Sequence, residues 1–157
     1  MLEPADSQEC KDFTKLAFQL SEELDTPVFV RLTTRVAHAR SAVFIADRDE
    51  IALKPYRKDP MKYVMMPGMA RKRHVLVEQR ETFLEQAANQ MPINAAEIRE
   101  PSLGVITSGI CYQYVRDALP NASTLKLGMV YPLPMKAKIF EDLDVLGGAF
   151  DQVFGLN

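Results

Sequence analysis

Two apolar, strand-like runs separated by one short helical run constrain the fold of this chain more than any other feature. LGVITSG (residues 103–109) ends in a Ser-Gly turn, and ICYQYVRDAL (residues 110–119) follows as a helix. STLKLGMVYPLP (residues 123–134) then forms a second strand whose exit is bracketed by prolines. Strands joined by a crossover helix pair in parallel within one sheet. We therefore predict an α/β fold with a parallel sheet, continued by a third helix over residues 135–143 and a further strand from residue 144.

The N-terminal 45 residues predict only half of another α/β repeat. Asp6 and Ser7 are candidate N-cap residues for a helix. Apolar residues then recur at helical spacing: Phe13, Leu16, Ala17, Leu20 and Leu24. Pro27 ends this helix, and VFVRL (residues 28–32) has the composition of a strand. Because one helix and one strand cannot bury a core alone, we interpret residues 1–45 as the end of a domain whose larger part is missing.

Residues 46–100 have the composition of a linker with one helix. The stretch 46–73 contains three prolines and many charges, and its apolar residues follow no sustained period. Residues 72–89 predict an amphipathic helix with these apolar side chains partly on one face: Val75, Val77, Phe83, Leu84 and Ala87. The predicted organisation is thus a partial helix–strand unit (1–45), a linker (46–100) and an α/β domain (101–157).

Charge and cysteine content exclude several classes of partner. The chain has 19 basic and 21 acidic residues, so its net charge gives no bulk attraction to nucleic acid or to an anionic membrane. No apolar run reaches the ~20 residues that span a bilayer, and residues 1–4 do not begin a signal peptide. Cys10 and Cys111 are the only cysteines and lie in no metal-binding pattern, so we predict no metal site. We expect a cytoplasmic protein with reduced thiols, a disulfide between them being the alternative.

One basic segment stands out from this neutral background. VFVRLTTRVAHARSAV (residues 28–43) carries four basic side chains within ten residues: Arg31, Arg35, His38 and Arg40. If residues 28–32 form a strand, the side chains just beyond it lie at the carboxyl edge of the sheet, where α/β folds bind ligands. An arginine there can bind a carboxylate through two parallel hydrogen bonds. The alternative is a solvated rim, and the residues alone leave both open.

Other polar groups have structural interpretations. The TSG turn (residues 107–109) precedes a helix and could offer backbone N–H groups to a phosphate, but it contains one glycine and no complete phosphate-binding motif. Glu3 and Glu9 lie near the start of the first helix, where negative charge complements the helix dipole. We therefore predict a structural turn and capping carboxylates, and assign no catalytic residue.

Five tracts resemble a known enzyme family. EPADSQE (residues 3–9), AFQLSEELDTPV (17–28) and RLTTRVAH (31–38) resemble the end of the pyrimidine-binding domain in the large subunit of indolepyruvate ferredoxin oxidoreductases. LGVITSGICYQYVRDAL (103–119) and LKLGMVYPLP (125–134) resemble the next domain of that subunit, which is related to the C-terminal domain of transketolases. The resemblance extends over almost the whole chain.

This resemblance implies a chemistry and a set of partners. In that family, thiamine diphosphate with Mg²⁺ decarboxylates an arylpyruvate, iron–sulfur clusters carry the electrons to ferredoxin, and coenzyme A takes the acyl group. The other domains of the large subunit and a smaller beta subunit are the implied partners. Arg35 matches the arginine that contacts the substrate carboxylate in related pyruvate oxidoreductases, His38 matches the nearby histidine, and Thr34 lies beside them.

The activating glutamate, the diphosphate-binding domain and the cysteine-rich tail of that family have no counterpart in this sequence. We therefore expect the chain alone to be inactive and to bind none of these cofactors tightly. Two alternatives stay open. One is a non-catalytic structural or interaction module with the transketolase-like fold, including a homodimer, and the other is a small nucleotide- or coenzyme A-binding domain that uses the TSG turn.

Overall fold

The computed structural model describes residues 1–48 and 50–134 of the 157-residue chain. The elements in chain order are α1 (Ser7–Leu24), α2 (Thr34–His38), α3 (Pro60–Tyr63), α4 (Pro67–Ala88), β1 (Ala95–Glu97), β2 (Glu100–Ser108), α5 (Ile110–Ala118) and β3 (Ala122–Leu127). The helix predicted over residues 135–143 and the strand predicted from residue 144 lie outside the described residues.

The sheet has the strand order β1-β3-β2. β2 and β3 are parallel, with Val105 opposite Thr124 and Ser108 opposite Leu127, and α5 connects them. This pair confirms the predicted α/β fold with parallel pairing. β1 adds an antiparallel edge, with Ala96 opposite Leu125, so the sheet is mixed. β1 lies within the predicted linker, because its three residues are too few to show a strand pattern in the sequence.

The N-terminal residues extend this sheet beyond β3. Leu2, which is fully buried, bridges Val30 in parallel and Met129 in antiparallel orientation. Its N–H donates to the carbonyl of Phe29 at 2.8 Å, and its carbonyl accepts from the N–H of Arg31 at 2.8 Å. The first residues of the chain therefore join the segment before α2 to the segment after β3.

The strand predicted over residues 28–32 is wrong in extent. Only Val30 takes part in pairing, and it does so in a single bridge. The short N-terminal segment offers only Leu2 as a partner, so a longer ladder cannot form along this side. The β-branched composition favoured an extended backbone, but extended backbone becomes a strand only where a partner strand continues beside it.

The first helix agrees with its prediction. Asp6 is its N-cap, and the Asp6 carboxylate accepts from the N–H of Glu9 at 2.9 Å. Asp25 ends the helix in the left-handed conformation with φ of 50°, which aspartate tolerates better than most residues. Three of the predicted apolar positions, Phe13, Ala17 and Leu20, are buried. They form the core together with Leu2, Ala88 and Met129 from elsewhere in the chain.

The second long helix forms as predicted, but its apolar face is not buried. α4 begins earlier than the predicted residue 72, and Val75, Val77 and Phe83 are each about half exposed. Ala88, at the C-terminal end, is the one buried residue of this helix. The helix thus reaches the core only through its last turn.

An extended arm, which comprises residues 39–48 and 50–59, follows α2 and runs along α1. The N–H of Phe44 donates to the side-chain oxygen of Gln8 at 2.7 Å, near the start of that helix. Lys54 pairs with Glu22 at 2.6 Å, near its end. Just after the arm, Lys62 pairs with Asp25 at 2.6 Å. These polar contacts hold the arm against the helix while its large apolar side chains remain exposed.

Candidate functional site

The predicted site residues lie on α2, a helix of five residues. Thr33 is its N-cap, and its hydroxyl oxygen accepts from the N–H of Val36 at 3.4 Å. Val36 is buried, with 4% of its surface exposed, and anchors the helix to the rest of the chain. Because Val36 faces inward, Thr34, Arg35 and His38 are left exposed to solvent.

These three residues line one open surface depression of about 710 Å³, together with Ala39 and Arg40. The structure therefore brings together the three side chains that the sequence analysis assigned to substrate binding. Arg35, His38 and Arg40 supply two guanidinium groups and one imidazole. Within residues 1–48 and 50–134, none of the three lies within ion-pairing distance of a carboxylate.

Arg31, the fourth basic residue of the segment, is not part of the depression. Its guanidinium pairs with the carboxylate of Glu3 at 2.5 Å. Glu3 is buried, with 4% of its surface exposed, and also accepts from the hydroxyl of Ser108 at 3.3 Å. Arg31 thus neutralises a buried acid, and one of its N–H groups is committed to that carboxylate.

The carboxylate of Glu3 also packs against the TSG turn, next to Ser108 and Gly109. Gly109 has a positive φ of 52°, and a Cβ atom at this position would lie 2.8 Å from an oxygen of Glu3. A phosphate at the start of α5 would meet this negative charge at close range. The structure therefore favours the structural interpretation of the turn.

Arg35 makes one contact with α5. Its guanidinium carbon lies 5.7 Å from the centroid of the Tyr114 ring, within the range of a cation–π interaction. Tyr114 is about half exposed. The depression on α2 is therefore connected to the helix that joins the two parallel strands.

A second polar cluster, which sequence reasoning missed, joins α5 to α1, β1 and β3. Lys126 pairs with Glu9, and its ammonium lies 4.4 Å from the centroid of the Tyr112 ring. The hydroxyl of Tyr112 donates to Glu97, which also pairs with Arg116 at 3.0 Å. Burial, and then the hydrogen bond to Glu97, raise the pKa of Tyr112. A lysine between two leucines in β3 was the available signal, because a charge in an apolar strand requires a partner.

Glu9 has two roles in this cluster. Its carboxylate accepts from the N–H of Ala5 at 2.8 Å, which agrees with the predicted capping role at the start of α1. The same carboxylate pairs with Lys126 on β3. The cap thereby joins α1 to the sheet.

Among the described residues, no group of three or more His, Cys, Asp or Glu side chains is placed to hold a metal ion. Both cysteines are free thiols, and Cys111 is exposed, whereas Cys10 is partly buried. Burial, and then the charges of Asp6 and Glu9, raise the pKa of Cys10. No helix in the described part of the chain is both long and apolar enough to cross a bilayer.

Comparisons with known proteins identify relatives of this chain. It is 34% identical over 158 aligned residues to "Indolepyruvate oxidoreductase subunit IorA" of Thermococcus kodakarensis, with 92% of this chain and 24% of the relative covered. It is 39% identical over 142 residues to IorA of Methanothermobacter marburgensis, with 85% and 23% covered. This chain is a relative of one part of IorA. The resemblance to indolepyruvate oxidoreductases is thereby confirmed.

The match to IorA has a clear extent. IorA of Archaeoglobus fulgidus is 33% identical over 141 residues, with 85% of this chain and 22% of the relative covered. The chain therefore spans about a quarter of the length of the curated IorA proteins it matches. No family model matches the chain, and no solved structure matches it.

Proposed function

We propose that this chain is part of the large subunit of an indolepyruvate ferredoxin oxidoreductase and that its α2 depression binds the carboxylate of the 2-oxoacid. The observation that carries the proposal is the grouping of Arg35, His38 and Arg40 around one depression without a carboxylate partner among the described residues. The similarity to IorA proteins supports the oxidoreductase assignment. The whole enzyme would oxidatively decarboxylate arylpyruvates to acyl-coenzyme A.

Each residue of the depression has a role that follows from its chemistry. The planar guanidinium of Arg35 can donate two parallel hydrogen bonds to a carboxylate. Thr34 lies in the same lining, where its hydroxyl can donate to a carboxylate or keto oxygen. His38 presents ring nitrogens beside them, as a hydrogen-bond donor to the same anion or as a brace for Arg35.

The cofactors and electron carriers belong to the proposal for the whole enzyme. Thiamine diphosphate would supply the group that attacks the keto carbon, and iron–sulfur clusters would pass electrons to ferredoxin. The described residues do not fit these groups, since they offer no metal-ligand cluster and the chain has two cysteines where a cluster takes four ligands. We therefore assign them, with Mg²⁺ and coenzyme A, to other parts of the large subunit and to a beta subunit.

The predicted organisation also remains a proposal. Residues 1–45 would end a pyrimidine-binding domain, residues 46–100 would link it onward, and residues 101–157 would belong to a transketolase C-terminal-like domain. The structure places β1, from the second of these ranges, at the edge of the sheet formed by the third. The boundary therefore moves to about residue 94 if the sheet is taken as one unit.

The binding role is tested on the 157-residue chain by NMR titration with phenylpyruvate, using its uncharged methyl ester as the control ligand. We expect Arg35→Ala to weaken phenylpyruvate binding about tenfold, since a charged hydrogen bond is lost. Arg57→Ala is the matched control, because it removes an exposed arginine from the extended arm instead. Equal binding by Arg35→Ala and the unchanged chain would contradict the carboxylate role.

Two further measurements test the enzyme assignment. Calorimetry of the isolated chain with thiamine diphosphate should show no binding, and tight binding would contradict the assignment of this cofactor to other domains. In an assembled enzyme that contains this chain, Arg35→Ala should raise KM for the arylpyruvate strongly. An unchanged kcat/KM would rule out contact with substrate.

A second function, an assembly module without chemistry, is supported by the extended arm. Five of its large apolar side chains are at least 80% exposed: Phe44, Ile45, Ile51, Leu53 and Tyr56. Soluble monomers seldom expose so many apolar groups together. Analytical ultracentrifugation of the chain and of an Ile51→Asp, Leu53→Asp variant tests this function. Self-association that the two aspartates abolish would support it, and a monomer unaffected by them would count against a homodimer through the arm.

A further inference from the structure

Arg35 combines two properties that are seldom found together: it has no carboxylate partner among the described residues, and its position is still defined by a contact. The contact is the ring of Tyr114 on α5, 5.7 Å from the guanidinium carbon. A ring attracts the positive charge through its electron-rich face. Unlike a carboxylate, it does not saturate the N–H donors with hydrogen bonds, so they remain free for a ligand.

Arg31 provides the internal comparison. Its guanidinium pairs with the buried carboxylate of Glu3, so that its position is set by an anion that already belongs to the protein. An arginine with no partner keeps its donors but loses rotamer freedom when a ligand orders it, which opposes binding. The ring contact of Arg35 reduces that loss and leaves the donors free.

We propose that Tyr114 is a positioning residue for Arg35. Its ring holds the guanidinium at the depression, so that the group is partly ordered before the carboxylate arrives. This inference rests on the proposed function, because it assumes that Arg35 binds an anion. It also connects the site to the sheet, since α5 lies between β2 and β3 in the chain and begins at the turn held against Glu3.

The two tyrosines of α5 make different contacts, and this difference predicts which substitutions of Tyr114 preserve its contact with Arg35. Tyr112 donates from its hydroxyl to Glu97 and presents its ring to Lys126, so it belongs to the internal cluster. Within the described part of the chain, the hydroxyl of Tyr114 has no hydrogen-bond partner, and only its ring makes a specific contact. Phenylalanine should therefore replace Tyr114, whereas leucine should not.

The experiment uses the 157-residue chain and two measurements. The first is the NMR resonance of the Arg35 Nε–H group, which the nearby ring displaces and which requires no ligand. The second is the Kd for phenylpyruvate. We expect Tyr114→Leu to move the Arg35 resonance towards that of a free arginine and to raise Kd about two- to fivefold, with Tyr114→Phe retaining both properties. Phe18→Leu, which removes an exposed aromatic ring from α1, is the control and should change neither.

The outcomes separate this inference from the proposed function. If Arg35→Ala weakens binding but Tyr114→Leu changes neither Kd nor the Arg35 resonance, the positioning role is overturned and the carboxylate role stands. If Arg35→Ala leaves Kd unchanged, both fail together. A Tyr114→Phe variant that behaves like Tyr114→Leu would show that the hydroxyl matters, and that would also overturn the ring contact as the cause. Thermal unfolding of each variant should remain close to that of the unchanged chain, because Tyr114 is about half exposed.

Discussion

Arg31 and Arg35 lie four residues apart in the sequence and are both exposed, but their electrostatic partners differ. At the edge of the sheet, Arg31 neutralises Glu3, which is buried against the start of α5. On α2, Arg35 and its basic neighbours line an open depression without a carboxylate partner among the described residues. The difference shows that the electrostatic partner, and not the presence of an arginine, separates a structural basic residue from a candidate ligand-binding one.

The energetic reasons for the two arrangements also differ. A carboxylate as buried as Glu3 requires a partner, because a buried charge that is left unpaired destabilises the folded state. Exposed charges on α2 are hydrated and require no partner. The molecule can therefore leave them unpaired at little cost in stability, and free donors are what an anion site requires.

The largest effect is expected at the glycine that contacts Glu3. Gly109→Ala places a Cβ atom 2.8 Å from the Glu3 carboxylate at a residue with a positive φ of 52°. We expect a loss of about 3 kcal/mol in unfolding free energy, measured by urea denaturation. Gly68→Ala is the matched control, because nothing lies within 4 Å of a Cβ atom there. A loss no greater than in that control would mean that the turn and the carboxylate are not packed as described.

The next largest effect is expected from the buried acid itself. Glu3→Gln keeps the shape of the side chain but removes the charge that Arg31 and Ser108 bind. We expect the chain to lose about 1 to 3 kcal/mol of unfolding free energy. Glu23→Gln, at an exposed position of α1, should change stability by less than about 0.5 kcal/mol. Equal effects of the two substitutions would remove the distinction between the regions.

The direct comparison of the two arginines should give a smaller difference in stability. Arg31→Ala should lower the unfolding free energy by about 1 kcal/mol or more, because Glu3 is left with Ser108 alone. Arg35→Ala should change it by less than about 0.5 kcal/mol, since its contact is with an exposed ring. Calorimetric or urea unfolding of both variants measures this. A reversed order would show that α2, not the sheet edge, holds the structural arginine.

The smallest effect on stability is expected from the exposed ion pair between Lys62 and Asp25. The hydrogen bond from Lys62 holds the pKa of Asp25 below its ordinary value, so the carboxylate form favours the folded state. This contribution is complete above the ordinary pKa of about 4 and disappears as pH falls through the lowered folded value. Asp25→Asn, which tolerates the left-handed backbone, should therefore flatten the acid side of the stability–pH profile slightly.

That profile is measured by urea unfolding between neutral and acid pH, with Asp117→Asn, an exposed aspartate of α5, as the reference variant. The difference should shrink in high salt, because exposed pairs are screened. An identical acid slope with and without Asp25 would show that pairing without burial contributes nothing here.

Local patterns predicted much of this fold and part of the site. The N-cap at Asp6, the apolar face of α1 and the strand–helix–strand order from residue 103 follow from neighbouring residues, and the structure has them. Residues 28–32 and α4 were predicted less well. Strand composition cannot supply a partner strand, and an amphipathic face cannot ensure that another element covers it.

The candidate site likewise has features that local sequence determined and features that depend on tertiary contacts. Thr34, Arg35 and His38 fall within five consecutive residues, so the sequence by itself determined that they lie near one another. The helix α2, which the sequence patterns did not predict, brings them to one depression. Only the tertiary structure decided which arginine is free. Glu3 lies 28 residues from Arg31, and Tyr114 lies 79 residues from Arg35 (114 less 35), so both contacts depend on how distant segments pack. Hydrogen bonds and ring contacts act over a few ångströms, and folding alone sets which distant residues come that close.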